Sequence, residues 1–222
     1  MSATTVGVLV GAAAGLLASP YLARLSVSVP EQQARRWWVG AGASRATLAG
    51  SAVLATGLGA LGGAAAGWSA LLPAFVALAL IGTPLIVIDL RVHRLPNRLM
   101  IPAFLAGAVL LTVAAARWDA WSHLLRAAEG AAAVYAVLFL IAFASPRSFG
   151  MGDVKLGGVV GGYLGWFGWA YVYYGVFAGF LLGAVLAVGL LASRRASMKT
   201  AIPFGPMLIV GPLLVLAFDL VP

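Results

Sequence analysis

The chain has 222 residues, 63% of them hydrophobic and 9% charged, with 14 lysines and arginines against 6 acids and a mean hydropathy of +1.03. That composition excludes a soluble globular domain, and the lack of any cysteine excludes disulfides, a thiolate nucleophile and a cysteine-ligated zinc site. The basic excess points away from nucleic acid, because the arginines fall singly or in pairs between apolar runs of about twenty residues, the length a helix needs to cross the hydrocarbon.

These runs show no alternation of period two, so helices rather than a barrel satisfy their backbone groups in the membrane. The predicted fold is all-α: a single integral-membrane domain over residues 1–222 with about eight transmembrane helices. The first run, Thr5 to Ala23, has no cation before it and meets Arg24 after it. This is the reverse of a signal peptide's charge order and predicts a retained helix with its N-terminus outside. The loop that follows carries Arg35, Arg36, Trp37 and Trp38, a set suited to lying on anionic headgroups. The second and third spans, Thr47 to Gly67 and Ser69 to Ile88, meet in a tight reversal near Trp68 to Pro73.

The third span closes on Asp89, in the run VIDLRVHRLPNRL. A fourth span, Leu99 to Ala116, leads to an outer loop with Trp118 and Trp121 at the interface and with Arg126 and Glu129 at a helix end. The fifth covers Glu129 to Ala144. The stretch SPRSFGMGDVKL then sets Asp153 behind Gly150 and Gly152 and ahead of the sixth span, Asp153 to Phe167. Spans seven and eight cover Trp169 to Ala192 and Ile202 to Val221. Gly157, Gly161 and Gly165, and then Gly175, Gly179 and Gly183, place small residues four apart on one helical face, for packing within one bundle or between chains of a homo-oligomer. The aromatic residues from Trp166 to Tyr174 fit an interfacial belt at the outer turn.

With the N-terminus outside, twelve of the fourteen cations fall on the cytoplasmic side and only Arg117 and Arg126 outside, a strong positive-inside bias. Asp89 and Asp153 then share the cytoplasmic face. A carboxylate at the edge of hydrocarbon is a functional hypothesis by default. The bland alternative pairs Asp89 with Arg91 or Arg94 and Asp153 with Lys155. The two lone histidines, His93 and His123, offer no histidine-rich metal site.

Two carboxylates without another titrating partner suit aspartic hydrolysis: one activates a water, the other donates a proton to the scissile carbonyl, and the pair holds one proton between them. Gly150 and Gly152 would let a substrate strand approach the backbone, or Gly152 would permit a turn with positive φ. Asp89 lies at the C-terminal end of its span and Asp153 at an N-terminus, so the helix dipoles assign the shared proton to Asp89 and the base to Asp153.

FGMGDVKL at Phe149 to Leu156, IDLRVHRLPN at Ile88 to Asn97 and IPFGP at Ile202 to Pro206 resemble type IV prepilin peptidases, the GxGD membrane aspartic proteases of family A24. The likeness covers most of the chain from about Pro73 onward, and the first span looks like that family's opening helix. It implies catalysis by Asp89 and Asp153, with Gly150 and Gly152 as motif glycines and Lys155, Pro96, Asn97, Pro203 and Gly205 in the matching motifs. It further implies cleavage of type IV prepilins or pseudopilins on the cytoplasmic side of a bacterial inner membrane, after the glycine that precedes the substrate's hydrophobic helix. Longer members carry a cytoplasmic zinc domain with paired CxxC ligands and also methylate the new N-terminus. Here residues 26–46 form only a short interfacial loop, so a minimal peptidase is expected, without metal or cofactor and without methylation. Prepilin leaders are generally basic, whereas the only acids on this face are Glu31, Asp89 and Asp153. Recognition is therefore expected to rest on the substrate's apolar helix and its glycine. Two other readings use the same acids. A presenilin-like protease would show a Tyr-Asp where this chain has Ile88-Asp89 and a Pro-Ala-Leu where it has PFGP. A small proton- or cation-coupled transporter would carry its ion sites near the midplane of repeated halves.

Overall fold

The computed structural model describes residues 1–30, 36–145, 149–194 and 202–221. Among them Arg35, Arg147, Arg195 and Lys199, counted above for orientation, have no place, and neither does Glu31. The described residues form eight α-helices and no strand: α1 (Ala3–Ser28), α2 (Arg45–Ala66), α3 (Leu72–Val92), α4 (Asn97–Trp118), α5 (Trp121–Ala144), α6 (Met151–Phe167), α7 (Trp169–Ala192) and α8 (Gly205–Ala217). The expected polytopic helical bundle is what the chain adopts.

Local sequence sets most of the helix ends. Ser2 and Ser44 accept the amide hydrogens of Thr5 and Thr47 at 3.1 and 3.2 Å, satisfying first-turn donors that would otherwise have no partner. Gly67, at φ +59°, ends α2 in the predicted reversal, and Trp68 then donates its N–H to Ala3 O at 2.8 Å. His93, in the left-handed region, closes α3, and Pro96 is the N-cap of α4.

Six helices are long and apolar enough to cross a membrane. The other two fall short of the bilayer: α6 has 17 residues and α8, expected over Ile202 to Val221, has 13, or about 25 and 20 Å at 1.5 Å per residue against about 30 Å of hydrocarbon. Their surroundings account for this. From Leu156 to Trp166 every residue of α6 is buried, so its length answers to neighbouring helices rather than to lipid. α3 is likewise central, with 67% of its apolar window buried, whereas α7 is peripheral at 11%.

Two boundaries differ in kind. α1 continues past Ala23 to Ser28. α5 begins at Trp121, so the predicted outer loop reduces to Asp119 and Ala120, and Arg126 and Glu129 lie inside a helix. Arg126 is accommodated there because its Nε donates to Gly165 O at 3.1 Å and its Nη2 to Trp166 O at 3.0 Å, satisfying the last carbonyls of α6.

Backbone contact at glycine unites the bundle. Gly11 of α1 faces Gly59 of α2, and Gly130 of α5 faces Gly161 of α6, where an added Cβ would lie 2.6 Å from a carbonyl oxygen. Gly165 lies against Arg126 O, Gly175 against Leu164 and Gly183 against Phe204. The predicted small-residue faces are thus used within the chain.

Candidate active site

Asp89 occupies the last turn of α3 and Asp153 the first turn of α6. Both line one open cavity of about 1100 Å³, together with His93, Arg94, Leu95, Pro96, Asn97 and Arg98 from the α3–α4 turn and Gly150 to Gly152 from the start of α6. The seven-residue spacing from Asp89 to Pro96 has a structural cause. His93 stops α3, the residue before a proline is pushed to extended backbone, and α4 starts directly after, so the whole turn folds over the cavity.

Asp89 is 4% exposed, and its Oδ2 accepts the N–H of Gly205 at 2.9 Å. Gly205 is the first residue of α8, so this carboxylate meets a helix N-terminus as well as the C-terminal end of its own helix. Asp153 stands three residues after the N-cap Gly150, in the first turn of α6, where the positive end of the helix favours an acid. Both acids therefore meet a positive helix end, and the α8 N-terminus at Asp89 offsets the dipole contrast that assigned the shared proton to it.

The bland pairing of these acids with neighbouring cations is not seen among the described residues. Arg91 instead donates from Nη2 to Thr47 Oγ1, and Lys155 Nζ donates to Asn97 Oδ1 at 2.8 Å. Asp153 Oδ1 is buried and accepts no hydrogen bond from the described residues. A buried carboxylate oxygen left so is costly and offers an acceptor for whatever enters the cavity.

The motif glycines have packing reasons. Gly152 is not among the residues with positive φ, which removes the turn explanation. A Cβ there would lie 2.8 Å from Leu95 Cβ, a Cβ on Gly205 2.9 Å from Asp89 Oδ2 and 3.3 Å from Leu95 Cδ2, and one on Gly150 3.2 Å from Asp153 Oδ2. Leu95 is wedged between the starts of α6 and α8 and so sets the spacing of the elements that carry Asp153 and hold Asp89.

Sequence reasoning passed over Leu95 and also over a phenylalanine cluster. Phe149 lies against Phe204 with ring centroids 5.6 Å apart, and Phe180 of α7 lies 4.8 Å from Phe204 and 6.5 Å from Phe149. The cluster ties the residue before Gly150 to the residue before Gly205, anchoring both helix starts. Pro96, Asn97, Gly150 and Gly152 line the cavity; Lys155 reaches it only through Asn97, Gly205 only through Asp89, and Pro203 does not line it. Trp37 is half-buried with Arg98 6.0 Å above its ring, while Trp38 is exposed. Among the described residues no three side chains of metal-ligating type stand together.

Residues 74–188 match the model of the type IV leader peptidase family. No curated protein and no solved structure matches the chain.

Proposed function

The chain belongs to the type IV leader peptidase family, and from that premise we propose that it is a membrane aspartic endopeptidase that removes the leader of type IV prepilins or pseudopilins after a glycine. One carboxylate of the Asp89 and Asp153 pair takes a proton from a water that attacks the scissile carbonyl, while the other, protonated, donates to the carbonyl oxygen. On collapse of the gem-diol the carboxyl that took the water's proton passes it to the leaving amine nitrogen, and the other carboxylate takes a proton back from a gem-diol hydroxyl, which restores the shared proton. The observation that carries this reading is the convergence of the two acids on one cavity where, among the described residues, no cation pairs with either and Asp153 Oδ1 has no partner. The cavity opens on the cytoplasmic side of a bacterial inner membrane in this proposal. With residues 26–46 in place of a zinc domain, hydrolysis proceeds without N-methylation.

The test is cleavage of a pilin-like substrate, with a Gly-Phe junction before its apolar helix, by wild type and by Asp89→Asn and Asp153→Asn in detergent with chelator present. Wild type cuts, and each folded variant loses at least about a hundredfold in kcat/KM, or about 2.7 kcal/mol of transition-state stabilisation. Full activity in either variant overturns the catalytic pair.

A further inference from the structure

A second cavity, of about 780 Å³, runs between α4 on one side and α5 and α6 on the other. Its walls include Phe104, Leu105 and Ala108 of α4 and Ala128, Ala132 and Tyr135 of α5. Resting on the function proposed above, we propose that this groove receives the apolar helix of the leader-bearing substrate, with the N-terminal end of that helix beside Asn97 and the scissile bond in the carboxylate cavity.

Continuity comes first. Asn97 lines both cavities, and Lys155, at the same end of the groove, donates to Asn97 Oδ1. A helix that begins just after the cleaved bond must leave the carboxylate cavity along a surface of its own polarity, and this groove starts there.

Its chemistry fits that occupant. Polar side chains are few along the groove: Asn97 and Lys155 stand at one end, and Thr112, Tyr135 and Tyr163 are the others in its lining. Thr112 Oγ1 donates to Ala108 O at 2.7 Å and Tyr163 OH to Ala74 O at 2.9 Å, so an apolar helix would leave neither of these two hydroxyls unsatisfied. The groove extends along α4 from Asn97 to Thr112, about 22 Å at 1.5 Å per residue, which accommodates about four turns of helix. Alanine and glycine line much of its length, including Gly158 and Gly162 of α6, and small residues let a helix backbone come close where lipid gives no hydrophobic drive for association.

Charge adds a reason for such a surface. Arg94 and Arg98 line the carboxylate cavity and oppose a basic leader, so affinity has to come from the other side of the scissile bond.

The chain has no cysteine, which permits a direct test by disulfide cross-linking. Single variants Ala108→Cys and Ala132→Cys, on exposed groove walls, and Val109→Cys and Ala136→Cys, exposed on the same helices outside the groove, are made in an Asp153→Asn background. Each is oxidised with a pilin-like substrate bearing one cysteine two turns into its apolar helix. Cross-links at positions 108 and 132 at least tenfold above those at 109 and 136 are expected; equal yields at all four overturn the groove, leaving lipid as its occupant. With both acids intact, Ala108→Phe and Ala132→Phe raise the apparent KM at least tenfold while Val109→Phe and Ala136→Phe do not; no change in any overturns the groove again. If wild type cuts and the cross-links are absent, the groove falls alone. If cross-links form but wild type does not cut, the catalytic reading falls and the groove stands.

Discussion

Asp89 owes its setting to a residue 116 positions away: the Gly205 N–H holds its Oδ2 at 2.9 Å, and the missing side chain at Gly205 leaves room for the carboxylate. A Cβ there would lie 2.9 Å from that oxygen, so Gly205→Ala pushes the acid off its donor. A hydrogen bond to a charged group is worth roughly 1.5–3 kcal/mol, and kcat is expected to fall about ten- to a hundredfold with little change in thermal unfolding. A kcat within twofold of wild type would show that this bond does not position Asp89. Gly152→Ala, which would press on Leu95 Cβ at 2.8 Å, is expected to lose activity the same way. At this scale the two carboxylates were legible because a charge stands out in an apolar chain, and the glycines because they sit in compact motifs. Leu95 and Phe204 were not, because one apolar side chain among many carries no contrast until folding shows what it separates or anchors.

Helices in this bundle meet through backbone as much as through side chains. In lipid, exclusion of water gives little drive for helix association, so close packing has to supply it. Gly59 meets Gly11 across the α1–α2 interface, whereas Gly57, two residues earlier on α2, has nothing within 4 Å of where a Cβ would be. Gly59→Leu is therefore expected to destabilise the protein by at least the 1–3 kcal/mol order of overpacking, and Gly57→Leu to be near neutral. Reversible unfolding in increasing denaturing detergent measures both, and equal midpoints for the two variants would remove the interface from the account. The existence and order of the helices could be read from apolar run length, yet several of their ends could not. A charge was taken to end a helix, but Arg126 lies within α5 because the carbonyls closing α6 supply its partners. α6 is short because it is enclosed by protein, and run length cannot tell enclosure from exposure to lipid.

Charge divides the whole molecule into two ends. The end that holds the carboxylate cavity carries Arg36, Arg91, Arg94, Arg98 and Lys155, while the opposite end, where α4 turns into α5, carries Arg117 and Arg126. Arginine and lysine near span ends are retained on the cytoplasmic side, so this asymmetry supports the proposed orientation, with the cavity facing the compartment in which the proposed substrate would be made. A substrate whose apolar helix already lies in the bilayer would then present its leader at the depth of the two acids, and the enzyme would need no soluble domain to fetch it. The orientation has its own test, independent of cleavage. Trp38, 52% exposed beside the cavity end, and Trp118, 48% exposed at the opposite end, are each replaced by cysteine in the otherwise cysteine-free chain. A membrane-impermeant thiol reagent applied to intact cells is expected to label Trp118→Cys at once and Trp38→Cys only after permeabilisation. The reverse pattern would put the carboxylates on the outer face, and a leader peptidase acting before export would then be untenable whatever the acids do in detergent.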